Sequence, residues 1–162
     1  MTATYVPIET QTLGTAQASV TFNSIPDTYT DLVLVFNGTI GSGVQNMELR
    51  FNGDTTTNYS ETRFFGTGAV GSTDRTSNTN QIRVGNIYTT PTVNIIQIMN
   101  YANATTFKPV LVRSNNSGNF VGTHSGVWRK SPETIDTVFV RPAGGVNFAI
   151  GCTFALYGIK AE

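Results

Sequence analysis

The sequence predicts an all-β fold, a two-sheet antiparallel β-sandwich of jelly-roll type, with a closed barrel as the alternative. Three observations lead there. Apolar residues recur with a period of two, and clusters of Gly, Asn and Pro punctuate the chain at short intervals. No long stretch combines i, i+3, i+4 apolar spacing with good helix formers, so helix should amount to a turn or two.

The alternation is plainest in three places. Ala18, Val20 and Phe22 alternate with Gln17, Ser19 and Thr21, and Met47, Leu49 and Phe51 with Asn46, Glu48 and Arg50. Val146, Phe148, Ile150, Cys152, Phe154 and Leu156 form a third series. Successive strand side chains point to opposite faces, so each series faces a core while its partners face water. Ile25-Pro26-Asp27, Asn37-Gly38, Gly41-Ser42-Gly43, Asn52-Gly53-Asp54, Asn115 to Gly118 and Pro142 to Gly145 supply the turns. Strands are therefore expected near 5–12, 17–22, 29–40, 46–52, 60–66, 80–87, 92–101, 105–113, 119–130, 134–141 and 146–158. Asn52-Gly53 reads as a type I′ hairpin signal, and Gly158 as the place where the last strand bends or ends. The segment 67–80 lacks a core pattern and reads as a long loop.

The chain has 162 residues, enough for one domain with a sizeable core. The expected organisation is a single domain over 1–162, with 1–16 as an N-terminal strand or arm. Charged residues make up 12%, against about 25% in ordinary globular chains, so the surface is neutral and polar. Lys+Arg and Asp+Glu balance at 10 each, and no basic stripe marks a nucleic-acid partner. A surface with no net charge opposes self-association poorly, which suits an assembly component. The N-terminus lacks the basic and apolar regions of a signal peptide, and no apolar run approaches the ~20 residues of a membrane span.

Candidate chemistry is sparse. A single cysteine, Cys152, excludes an intrachain disulfide, and its parity places it in the core. A dyad with His124, the single histidine, would need an exposed thiol beside the imidazole. Asn52, Asp54 and Asn58 could offer oxygens to a cation, but they read better as turn formers. Glu48 and Glu61 form a glycosidase-like pair only if a cleft holds them together. No catalytic, cofactor-binding or metal-binding residue is assigned.

Strands apolar on both faces suggest contact surfaces. In 92–101, Val93, Ile95, Met99 and Tyr101 share one parity, and Ile96 and Ile98 the other. Phe64 and Phe65 are adjacent, so one must leave the core. Trp128, followed by Arg129 and Lys130, could fill the core edge or form a sugar-binding platform. The candidate interface is thus Phe64, Phe65, Ile96, Ile98 and Trp128.

Several segments resemble a module of tailed-bacteriophage virion proteins. They are Tyr5-Val6-Pro7-Ile8 through Leu13, Phe22 through Leu34, Leu49 through Asp54 followed by Asn58-Tyr59-Ser60, and Ala155 through Ile159. They occur in the expected order and span nearly the whole chain. The resemblance implies a non-enzymatic structural protein of the virion, made in the bacterial cytoplasm, and a homotrimer. A capsid decoration or cement protein that contacts the major capsid protein is the leading expectation, since the chain has no repeat or heptad stretch for a fibre stalk. A tail-fibre or tail-tip domain that binds a host-surface glycan is the alternative. Neither reading needs a cofactor, nucleic acid or membrane.

Overall fold

The computed structural model describes residues 4–160. Among these, twelve strands and no helix are present. They are β1 (Tyr5–Thr12), β2 (Val20–Phe22), β3 (Asp31–Gly38), β4 (Val44–Phe51), β5 (Tyr59–Thr67) and β6 (Val70–Thr79), followed by β7 (Ile82–Tyr88), β8 (Thr92–Ile98), β9 (Lys108–Asn116), β10 (Phe120–Trp128), β11 (Val138–Pro142) and β12 (Thr153–Ile159). They form two antiparallel sheets. The large one runs β1-β12-β3-β8-β9-β10-β5-β6, and the small one β2-β11-β4-β7. The sandwich expected from the alternation is therefore present. It is not a closed barrel, because β1, β6, β2 and β7 remain as edges.

The pairing follows one rule. β1 pairs with β12, β2 with β11, β3 with β8 and β4 with β7. The chain thus pairs from its ends inward like one long hairpin, rolled so that its rungs fall alternately in the two sheets. Two ordinary hairpins, β5–β6 and β9–β10, are inserted in this roll and widen the large sheet beyond β8.

The core lies between the sheets. Leu32, Leu34 and Phe36 of β3, Ile96 and Ile98 of β8, and Phe154 and Leu156 of β12 face Val20, Phe22, Met47, Leu49, Phe51, Val138 and Val140 of the small sheet. Phe36, Phe148 and Phe154 pack as a trio with centroids 4.8 to 5.6 Å apart. Four strands cannot cover eight, so β5 and β6 overhang the edge at β7. The inner face there carries a charged network between the inward-facing Tyr59 and Phe65. Arg63 pairs with Asp74, and Arg83 of β7 reaches across to Glu61, Asp74 and Thr76.

Several local expectations need correction. The segment 67–80 is not a loop. Thr67 pairs with Val70 across a two-residue turn whose first central residue, Gly68, has φ 66°, and β6 follows. As an edge strand it has almost no apolar side to display. Asn52 and Gly53 have φ of 48° and 65°, and the Asp54 backbone N–H donates to the Phe51 carbonyl at 2.8 Å, as a type I′ turn requires. Yet β4 and β5 do not pair, because this turn carries the chain from one sheet to the other. The stretch 146–158 is not one strand either. A turn at Ile150 and Gly151, with φ 83° at Gly151, breaks it, and Ile150 projects into solvent at 69% exposure. Of the two alternatives for 1–16, strand or arm, the described residues show the strand, since β1 is a full member of the large sheet; residues 1–3 lie outside the described range.

Gly158 neither ends nor bends β12. It pairs with Leu32 on one side and Val6 on the other, and the Tyr29 ring lies directly on it. A Cβ here would fall well inside van der Waals contact with that ring. Gly158→Ala is expected to displace Tyr29 and destabilise the protein by about 1–3 kcal/mol. Thermal unfolding checks this, and a second change, Tyr29→Ala, should cancel most of the added effect of the methyl group.

Candidate functional site

The interface residues expected on β8 lie inside the sandwich. Ile96 and Ile98 are fully buried, together with Asn94, while Val93 and Ile95 face outward and are half-buried. The strand ends at Ile98, and the turn that follows brings Tyr101 back into the core, where its hydroxyl donates to the Pro26 carbonyl. Grouping Tyr101 with Val93 and Ile95 by parity therefore fails. A side chain with no exposed surface in one chain cannot present itself to a partner.

Trp128 is also buried and does not form a sugar platform. Its ring lies 5.5 Å from Phe51 and 6.3 Å from Tyr59, and its Nε1 donates to Asp54 Oδ2 at 2.7 Å. Asp54 sits in the turn loop between the sheets and also accepts from Thr56 and Asn58. Burial alone would raise its pKa, but these donors outweigh it and hold the carboxyl at about 2. Asn52 is committed as well, accepting from the Asp136 and Thr137 amides and donating to the Thr134 carbonyl. Asn52, Asp54 and Asn58 thus hold turns together: the side-chain oxygens of Asn52 and Asp54 accept from protein donors, and the Asn58 amide donates to Asp54 and Thr56.

The remaining chemical candidates are separated. Cys152 is buried, exchanging hydrogen bonds with Thr39, and burial pushes its thiol up. His124 lies on β10, four strand positions from β12 and roughly 19 Å away at the usual strand spacing. A Cys–His dyad is therefore not formed. Glu48 pairs with Arg141 at 2.7 Å within the small sheet, whereas Glu61 belongs to the large sheet and pairs with Arg83. Each carboxylate is neutralised by its own arginine.

His124 carries a specific prediction. Its Nδ1 lies 2.8 Å from the Arg83 carbonyl, so Nδ1 holds the proton, and the buried Nε2 has no partner among the described residues. Burial lowers its pKa, the bond to Arg83 pushes back, and the Arg63 and Arg83 guanidiniums lower it further, to about 4. A folded pKa below the unfolded 6.5 means that the unfolded chain binds the extra proton. Stability is thus lost as pH falls from 6.5 to about 4, by about 3 kcal/mol. Burial raises the Glu61 pKa, which acts in the opposite sense. The measurement is therefore urea unfolding of the parent and His124→Gln between pH 7 and 4. The gap between the two should narrow or reverse as pH falls.

One surface of the described residues is open and organised. The outer face of the large sheet carries a groove of about 700 Å³ that spans β6, β5, β10, β9 and β8. Strand register builds it in two rows. Thr73, Phe64, Thr123, Arg113 and Ile95 stand opposite one another in the first, and Val121, Asn115 and Val93 in the second. Phe64 is 51% exposed and Val121 64% exposed. Phe65 points inward, with its ring 6.2 Å from Phe120 and beneath Arg63. Of the five expected interface residues, Phe64 alone presents its ring to solvent. Arg113, Asn115 and Val121 were missed by the sequence reading. Each stands alone in its strand, and only register brings them together. No protein-family model matches this chain, and no curated protein matches it significantly.

Proposed function

We propose that this chain is a non-enzymatic structural protein of a tailed-bacteriophage virion, a capsid decoration or cement protein that self-associates as a trimer and stabilises the shell. The observation that carries the reading is the ordered set of resembling segments, from Tyr5 through Ile159. The fold supports it. With the β5–β6 and β9–β10 hairpins set aside, eight strands remain in two sheets of four, ordered β1-β12-β3-β8 and β2-β11-β4-β7. That end-to-end winding supports assigning the fold as a jelly roll, an architecture used in capsids.

In this reading the particle contact is the end of the sandwich where Ile150 and Val44 are exposed, beside the end of β3, the 150–151 turn and the start of β12. An apolar contact there needs no charge, and the balanced 10 and 10 charges of the chain supply little net attraction. Imaging of intact particles tests the reading. Density for this chain on the shell, in groups of three, is the expected result, and its absence from purified virions would overturn it. Molar salt should release little of the protein, because screening acts mainly on exposed charge pairs.

A further inference from the structure

The groove on the outer face of the large sheet has a chemistry that the particle contact does not use. Of the seven arginines, six are engaged. Arg63 and Arg83 pair with Asp74 and Glu61, and Arg141 with Glu48. Arg50, Arg75 and Arg129 donate to Asn80 and Gln81, to Ser77, and to Asn78. Arg113 alone has no hydrogen bond, ion pair or ring contact among the described residues. It stands in the first row of the groove, one strand from Thr123 and two from the exposed Phe64 ring. No carboxylate lines the groove.

We propose that this groove binds an acidic oligosaccharide. The C–H face of a sugar ring lies on Phe64, and the carboxylate of a uronic or sialic acid unit docks on Arg113. Beside them Asn115 supplies an amide, and the Thr123 hydroxyl, which donates to the Val112 carbonyl at 2.9 Å, supplies an acceptor. An unpaired guanidinium is complementary to a carboxylate, which it can hold through two parallel bonds.

Two further facts favour a glycan over a protein partner. The groove crosses five strands, roughly 19 Å, and two side-chain rows, so its footprint is about 200 Å². A stable protein interface needs about 800 Å² from each partner. The groove volume instead falls in the range of small-ligand sites. In addition, the strands beneath it pair on both sides, except at β6, so their backbone groups are already used. An extended peptide lying there would find no ladder to join.

Calorimetry on the full chain tests this with three acidic probes (trigalacturonate, sialyllactose and a hyaluronan tetrasaccharide) and neutral maltotriose. At least one acidic probe should bind with a Kd of about 0.1–1 mM, as an open groove allows. Arg113→Gln should weaken it about tenfold or more, Phe64→Ser should weaken it too, and maltotriose should not bind. Both positions are on the surface, so circular dichroism should show both variants folded. Failure of all three acidic probes at about 10 mM, a level that would reveal even a millimolar Kd, overturns the proposal. So does binding that Arg113→Gln leaves unchanged. An Asp/Glu-rich octapeptide that binds through Arg113 while no saccharide does would also overturn it and assign the groove to a protein segment. The isolated chain is used throughout, so the result stands apart from where the chain sits in a particle.

Discussion

Ile96→Asp is expected to leave no folded protein. Ile96 has no exposed surface and sits on the inner face of β8, a strand paired on both sides by β3 and β9. Across the gap lies the small sheet, with Met47, Leu49, Val84 and Ile87 all buried in the same core. The substitution removes the apolar side chain, at about 2–5 kcal/mol, and places a carboxylate where nothing can solvate it. That second effect adds several kcal/mol unless the acid is protonated, which itself has a large cost at neutral pH. Together they fall within the range of the total stability of a typical domain, about 5–15 kcal/mol. Circular dichroism of the purified variant should show loss of the sheet signal, and most of the protein should be insoluble. Ile95→Asp is the control. Ile95 faces outward from the adjacent position and is half-buried in the groove wall, so its variant should fold and lose far less stability. A soluble Ile96→Asp protein with native spectra would sink the assignment of β8 to the core.

The contrast between Ile95 and Ile96 shows how far the sequence could be read. Alternation finds strands reliably, because each strand buries one face. It located β1, β3, β4, β5 and β7 to within a few residues. It does not say which face is inside when both are apolar. On β8 the deciding residue was Asn94, whose amide lies in the core and accepts from Ser114 at 2.5 Å. A buried polar pair of this kind is invisible without its partner, which is twenty positions away in the chain.

Strand β6 was missed for the opposite reason. An edge strand needs no apolar face, and its Thr, Ser and Asn residues look like a loop. The signals present were Gly68 at a two-residue turn and the β-branched Thr73, Thr76 and Thr79. Asn52-Gly53 teaches a related lesson. A dipeptide fixes the turn geometry, but pairing on either side is decided by what else the flanking strands can join. Here β4 pairs with β7 and β11, and β5 with β6 and β10. The groove was hidden because its residues come from five strands, and only the hairpin insertions place them side by side.

Trp128→Ala is expected to destabilise the protein by about 3–5 kcal/mol, through the cavity left between Phe51 and Tyr59. The more informative change is Trp128→Phe. It keeps most of the packing but removes the indole donor to Asp54 Oδ2, leaving Thr56 and Asn58 to hold the carboxylate. The expected loss is about 1–3 kcal/mol at pH 7, the usual penalty when a buried polar group loses a partner. Acid separates this bond from simple packing. The Asp54 carboxyl is held at about 2, below its ordinary 3.8, so its contribution is fully present above pH 3.8 and is lost as pH falls towards 2. Without the indole donor that depression shrinks. The parent should therefore lose more stability than Trp128→Phe between pH 4 and 2, and their unfolding curves should converge. Urea titrations at pH 7, 4 and 2 measure the gap directly. Curves that stay parallel down to pH 2 would show that the indole N–H does not hold the charge on Asp54, and the destabilisation at pH 7 would then be a packing effect alone.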